Sequence, residues 1–324
     1  MNIRKLAAIL FFLCFSCGRD SCPSQGTLRD WLTDNGKPKI LCTTAMIADL
    51  VKGVGGDRID LITLIEGELD PHSYQLVKGD DEKLTFADII FFNGLGLEHG
   101  PSLQHYLENS SKGVSLGQAL LEKDPKKIIN LQDQLDPHIW MDAGLWSETI
   151  PTIVAHLKKL DQEHAADYEE NGKKYAADLK IIDQEILEII QKIPAQNRYL
   201  VTSHDAFSYF AKAYLVDKNR QDDHWQERFY APEGLSPESQ LSTLDIQRTL
   251  DFIQLHNIHV IFPESNVNKD SLRKIVEVGN EKKFNLKMSQ DPLYGDAMEK
   301  TPCGTGTYKA MMHYNANTLY KYLK

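Results

Sequence analysis

Apolar residues along this chain fall into short runs separated by stretches of helical period. Lys39–Thr43 (KILCT) reads as a strand, Ala45–Val54 as a helix, and Asp57–Ile65 (DRIDLITLI) as a second strand. Asp80–Phe86 reads as a further helix and Asp88–Asn93 (DIIFFN) as a third strand. Strands that alternate with helices predict a parallel sheet in an α/β domain.

The middle of the chain has a different period. From Thr152 to Ile193 there is no proline, and the one glycine is Gly172. Ala165, Tyr168, Tyr175, Leu179, Ile182, Ile186 and Ile189 recur at three- and four-residue steps among charged positions, the mark of an amphipathic helix. Helical throughout, Asp161–Ile193 would run roughly 50 Å at about 1.5 Å per residue. A single helix serving as backbone between two lobes is the favoured expectation; two helices packed on one domain are the alternative. Beyond Pro194 the α/β pattern returns. Strands are expected at Arg198–Thr202, Asn257–Pro263 and Phe284–Met288, and helices at Asp205–Tyr214, Pro237–His256, Lys269–Lys283 and Tyr308–Leu323. The expected fold class is therefore α/β: two lobes with parallel-type sheets joined by one long helix, with a cleft between them. The expected divisions are a signal peptide (1–17), an N-terminal arm (18–36), a first lobe (37–160), the linking helix (161–193) and a second lobe (194–324).

Composition adjusts this picture at the N-terminus and in charge. Met1–Lys5 is a short basic segment, Leu6–Phe15 an uncharged apolar run, and Ser16-Cys17 resembles a lipoprotein cleavage site. A run of about ten apolar residues fits an export signal better than a membrane span. The expected location is the periplasm, with Cys17 as a candidate lipid anchor. The formal charge is −10, and loss of residues 1–16 leaves 34 basic against 46 acidic residues, or −12. That sign opposes nucleic-acid binding, which depends on neutralising phosphates. Of five cysteines, Cys22, Cys42 and Cys303 would remain besides Cys17. The export compartment permits one disulfide, whose partners sequence does not fix. No Cys-x-x-Cys pair is present, which disfavours a thiolate zinc ribbon or a thioredoxin-like site.

Three of the eleven histidines share a place in the expected architecture. Asp70-Pro71-His72 follows the second strand, Asp136-Pro137-His138 repeats that tripeptide, and Ser203-His204-Asp205 follows the first strand of the second half. Ligands in open α/β sheets lie at the carboxyl ends of strands. Proline fixes φ, so each Asp-Pro-His presents its imidazole on a stiffened approach. Recurring strand-end imidazoles point to a bound transition metal. Asp70, Asp136 and Asp205 are candidates for orienting the histidines, or else solvent-facing loop acids; Asp205 could instead start a helix. The other eight histidines lack a partnering pattern.

Six segments carry a family resemblance: residues 43–61 (TTAMIADLVKGVGGDRIDL), 68–76 (ELDPHSYQL), 87–98 (ADIIFFNGLGLE), 136–142 (DPHIWMD), 201–215 (VTSHDAFSYFAKAYL) and 295–315 (GDAMEKTPCGTGTYKAMMHYN). In this order they resemble the substrate-binding proteins of ABC importers for zinc, manganese and iron, the TroA-like type, with a chlamydial member the expected nearest relative. The resemblance implies one metal ion, as cargo, held by His72, His138, His204 and Asp296, and delivery to an importer's membrane permease. Asp291 is the alternative to Asp296 as fourth ligand. Members with glutamate at the third position lean toward manganese, whereas this chain has His204. Zinc-specialised members often carry a His-rich loop before the second Asp-Pro-His, and residues 109–135 contain no histidine. Zinc, manganese and iron therefore all stay open as cargo. A monomeric receptor, not an enzyme, is expected. The alternatives are an exported metallohydrolase using the same histidines, disfavoured because no His-Glu-x-x-His or Gly-x-Ser-x-Gly motif is present, and an adhesin or metal-storage protein.

Overall fold

A computed structural model describes residues 28–131, 133–217, 224–237, 241–301 and 304–324. The signal peptide, Cys17, Cys22 and Cys303 lie outside these residues.

The first half is built on a four-stranded, wholly parallel sheet. Its strands are β1 (Lys39–Cys42), β2 (Asp60–Thr63), β3 (Ile89–Phe92) and β4 (Gly113–Ser115), in the order β2-β1-β3-β4. Lys39 pairs with Asp60, and Ile40 with Ile89. Side chains on successive strand residues point to opposite faces, and here both faces are apolar. Ile40, Cys42 and Phe91 enter the large core beneath the sheet, while Leu41 and Ile90 pack on the other side with Leu64, Leu84 and Leu103. A parallel sheet covered on both faces requires this continuous apolar sequence. The connections are helical: α1 (Ala45–Gly55), α2 (Asp80–Phe86), α3 (Pro101–Asn109) and α4 (Leu116–Lys123).

The second half repeats the plan with shorter strands. These are β5 (Leu200–Val201), β6 (Phe229–Tyr230), β7 (Val260–Ile261) and β8 (Lys287–Met288). β5 pairs parallel with β6, and β7 with β8. The Phe262 amide donates to the Val201 carbonyl at 2.9 Å, joining β5 to β7. Leu200 and Phe262 face the large core, while Val201 and Ile261 face a separate cluster with Leu250, Leu272 and Ile275.

Between the halves lie α5 (Ala143–Ser147), α6 (Ile150–Leu160) and the long helix α7 (Ala165–Gln191). α7 has 27 residues, or roughly 40 Å at about 1.5 Å per residue. It is continuous through Gly172, which borders α6: a Cβ there would lie 2.5 Å from Val154 Cγ2. Toward its start, Asn171 Nδ2 donates to the Val54 carbonyl at 3.1 Å, and the Tyr175 hydroxyl donates to Asp49 of α1. Toward its end, His313 of the closing helix meets Glu185 at 2.9 Å, and Gln191 Nε2 donates to the carbonyls of Tyr214 and Val216. One helix thus holds both halves, and one core runs from β1 through α7 to Met311 and Leu319.

The remaining helices are α8 (Thr243–Leu255), α9 (Asp270–Glu281) and α10 (Tyr308–Leu323). The expected helix Asp205–Tyr214 starts later, at Ser208, and is π-helical over Ala211–Leu215. Of the helix expected at Pro237–His256, residues 238–240 lie outside the described ones; the observed helix begins at Thr243, where Ser242 and Asp245 make a reciprocal capping box that satisfies the first free amides. Cys42 is buried and free in β1. Burial pushes its thiol pKa well up.

Candidate metal centre

The carboxyl ends of both sheets face one another, and the four residues named from the sequence meet there. His72 follows β2, His204 follows β5 and Asp296 follows β8, while His138 opens a short 3₁₀ turn, Ile139–Met141. All four are buried, and one potential donor atom from each lies within 4.8 Å of every other. His72 Nε2 is 3.2 Å from His138 Nε2 and 3.5 Å from Asp296 Oδ2. His138 Nε2 is 3.4 Å from Asp296 Oδ1, and His204 Nε2 is 3.0 Å from Asp296 Oδ2. A tetrahedral ion with ligands at about 2.05 Å would separate its donors by about 3.3 Å. Four of the six donor pairs, at 3.0–3.5 Å, bracket that edge, and every pair lies within 4.8 Å. Neither Asp296 oxygen has an aligned hydrogen-bond partner among the described residues, although buried polar atoms are nearly always bonded. The centre has the donors and the spacing for one cation.

Local sequence produces this convergence. In both Asp-Pro-His tripeptides the aspartate Oδ1 accepts the histidine backbone amide at 2.9 Å, an Asx-type turn that the intervening proline suits. In the second, Asp136 Oδ1 also lies 2.8 Å from His138 Nδ1, which turns Nε2 toward the centre. Tyr209 closes the back of that loop: its hydroxyl donates to the Asp136 carbonyl at 3.1 Å and accepts from the Ile129 amide at 3.0 Å. The Asp296 segment is tied to the opposite half. Trp140 Nε1 donates to the Gly295 carbonyl at 2.9 Å, and the Tyr308 hydroxyl to the Trp140 carbonyl at 2.6 Å.

Two further acids organise the centre, and neither stood out in the sequence. Glu98, buried behind β3, accepts from the Thr43 hydroxyl (2.7 Å) and from the amides of Asn93 (2.8 Å) and Gly94 (3.0 Å). Asn93 Nδ2 in turn donates to the Pro137 carbonyl at 2.9 Å, so Glu98 braces the His138 loop through one intermediary. Gly94 and Gly96 take positive φ, 74° and 85°, and let the loop double back to bring Glu98 beneath it. Glu264, fully buried past β7, accepts the amides of Ser203 (3.1 Å) and His204 (3.0 Å) on Oε1. Its Oε2 lies 2.8 Å from His204 Nδ1. The partner of His204 is thus Glu264 and not the adjacent Asp205, whose Oδ1 accepts the Ser208 hydroxyl at 2.6 Å. Asp70 likewise bonds the His72 amide and the Ser73 hydroxyl. Asp291 is not part of this cluster; it pairs with Lys321 and the Tyr322 hydroxyl.

Electrostatics follow from burial. Desolvation pushes the His138 pKa down to about 3 and the Asp136 pKa up to about 7. His204 is also desolvated, but the Glu264 and Asp296 carboxylates outweigh that and hold its pKa well above the ordinary value. Burial would raise Asp296, yet the facing His204 and the other histidines hold it well below the carboxylate range. The charge of the pocket thus rests on the Asp296 carboxylate and the His204 imidazole that faces it. It is reached through a cavity of about 720 Å³ that borders His72 and is lined by Leu95, Gly96, His99, Leu135 and Glu233. His99, without a role from sequence, sits with its ring centroid 5.5 Å from that of His72.

Two α/β halves fixed by one long helix, with a buried nitrogen-and-carboxylate centre where their strands end, define a metal receptor of the solute-binding kind. The chain belongs to the family described as zinc-uptake complex component A, periplasmic, whose model matches residues 40–322. Relatives of three kinds place it further. The metal-binding protein YtgA of Chlamydia muridarum is 39% identical over 258 residues, 79% of each chain. The structure of Fe(III)-bound YtgA from Chlamydia trachomatis matches with a TM-score of 0.81 at 37% identity, over 88% of this chain and 97% of that one. The manganese-binding lipoprotein MntA of Bacillus subtilis is 31% identical, with 98% of each chain covered. The periplasmic zinc-binding protein TroA of Treponema pallidum matches in structure with a TM-score of 0.78 at 29% identity, over 89% and 99%. The chain is thus an exported substrate-binding receptor that binds metal and serves an ABC importer, not an enzyme. The TroA-like, chlamydial resemblance of the sequence holds.

Proposed function

We propose that this receptor carries one transition-metal ion on His72 Nε2, His138 Nε2, His204 Nε2 and Asp296, and hands it to its membrane permease as a monomer. The observation that carries this reading is the inward convergence of three imidazoles and one carboxylate, their donor atoms all within 4.8 Å of one another, in a buried pocket. Three neutral imidazoles and one carboxylate leave a net charge of +1 with a divalent ion. With Asp296 monodentate the set suits tetrahedral zinc; with both of its oxygens bound it suits manganese or iron. The three metals named for relatives span that range. The lobes are assigned as 37–160 and 194–324 about the helix 161–193, with lipid on Cys17 as the tether. A negative surface makes nucleic acid an unsuitable partner.

The test is metal stoichiometry and competitive affinity of demetallated protein for Zn²⁺, Mn²⁺ and iron. Zinc is expected to bind tighter than manganese in vitro whatever the cargo, because affinity rises along that series. One tight ion per chain, weakened at least ~100-fold by His204→Ala, supports the assignment. A ratio well below one, or an unaffected variant, rejects it.

A further inference from the structure

We infer that Glu264 is a positioning residue that fixes which nitrogen of His204 carries the proton, so that an amide at this position would block the metal-binding nitrogen without dismantling the fold. This rests on the proposed role of His204 as a ligand.

A metal on Nε2 leaves the one remaining imidazole proton on Nδ1. Nδ1 must then face an acceptor. Glu264 Oε2 is 2.8 Å away, and neither atom has another hydrogen-bond partner among the described residues. The other oxygen, Oε1, is committed to the backbone amides of Ser203 and His204. The backbone fixes this orientation too: Glu264 bridges to Leu293, the Ser265 amide donates to the Leu293 carbonyl at 2.8 Å, and a Cβ on Gly295 would lie 2.6 Å from Oε2. Both oxygens are thus assigned, and Gly295 leaves the space that Oε2 occupies.

Glu264→Gln would force a choice. If its amide NH₂ replaced Oε1, it would confront two buried N–H donors. It must instead replace Oε2 and face Nδ1 with a donor. Nδ1 can answer only as an acceptor, which places the imidazole proton on Nε2, where the metal belongs. Asp136 beside His138 is the built-in contrast. There a single oxygen, Oδ1, serves both the His138 amide and Nδ1, and Oδ2 has no hydrogen-bond partner among the described residues. Asp136→Asn can keep its carbonyl oxygen toward His138 and preserve the tautomer. Each substitution turns one buried carboxyl group beside one histidine into an amide, so loss of the acid is common to both and the tautomer is not.

The experiment is Zn²⁺ affinity, by competition with a chelating dye, of Glu264→Gln, Asp136→Asn, His204→Ala and the double variant Glu264→Gln/His204→Ala, with melting of each metal-free protein as the fold check. Glu264→Gln is expected to lose ~100-fold and Asp136→Asn no more than ~10-fold, the span over which partners of metal-bound histidines act. Because Glu264 acts through His204, Glu264→Gln is expected to add nothing in the His204→Ala background. Equal losses in the two amide variants, or a Glu264→Gln loss that persists without His204, would overturn the inference. Glu264→Asp keeps an acceptor and is expected to stay within ~10-fold of wild type, so the test survives if the glutamine variant folds poorly; a loss as large as that of His204→Ala overturns the inference again. Wild-type affinity in His204→Ala would instead remove the ligand assignment beneath it.

Discussion

At the scale of single residues, the centre depends on side chains that touch one another across long stretches of chain. Glu98 is the clearest case, because three donors converge on one buried carboxylate. Glu98→Ala would leave the Thr43 hydroxyl and two amides buried without an acceptor. Unsatisfied buried donors are worth about 1–3 kcal/mol each, with partial relief from water entering the space, so we predict a loss of about 3 kcal/mol in chemical denaturation. Metal affinity should fall about tenfold as the Asn93–Pro137 link loosens. The four residues that cluster were all named in the sequence, the histidines by their placement and family motifs and Asp296 by the family motif alone. The sequence did not reveal Glu98 or Glu264, which lie 55 and 60 residues in sequence from Thr43 and His204. A lone glutamate after a strand carries no local pattern. Adjacency favoured Asp205 as the partner of His204, but the chain turns after His204 and leaves Asp205 to the Ser208 hydroxyl.

At the scale of elements, α7 decides how the halves can move. At Gly172 α7 packs closely against Val154 of α6, so a helix rule and a packing rule oppose each other there. Alanine is favoured over glycine in a helix by about 1 kcal/mol, but its Cβ would lie 2.5 Å from Val154 Cγ2, and overpacking of this kind costs about 1–3 kcal/mol. Gly172→Ala is therefore predicted to lower the melting temperature, and Gly172→Ala/Val154→Ala to recover part of that loss relative to Val154→Ala alone. A single mutant more stable than wild type would show that α6 yields easily. Long elements were legible: α10 occupies the expected span, and α7 lies within the expected 161–193. Short ones were legible only within longer apolar or alternating runs, as for β5, β7 and β8. β4, β6 and the hairpin of Asn130–Leu131 with Gln134–Leu135 have two or three residues each, too few for a period of two to register. Their pairing is set by tertiary contact.

At the scale of the whole molecule, a stiff helix and a shared core leave release to the segments that carry the ligands. Metal is predicted to slow amide exchange in residues 135–142 and 291–301 while leaving the middle of α7 unchanged; unchanged exchange in both segments would mean that release works differently. A ligand that binds the native state alone, at a thousand times its dissociation constant, adds about 4 kcal/mol. Chelation is accordingly predicted to lower the melting temperature by several degrees, and His204→Ala to abolish most of that difference.

The most direct test of the central claim is a crystal structure of the metal-loaded protein with anomalous data collected on both sides of the metal's absorption edge. The account predicts one anomalous peak per chain, within about 2.3 Å of His72 Nε2, His138 Nε2, His204 Nε2 and at least one Asp296 oxygen. A peak that omits any of the four, or that lies elsewhere in the cavity, would contradict it.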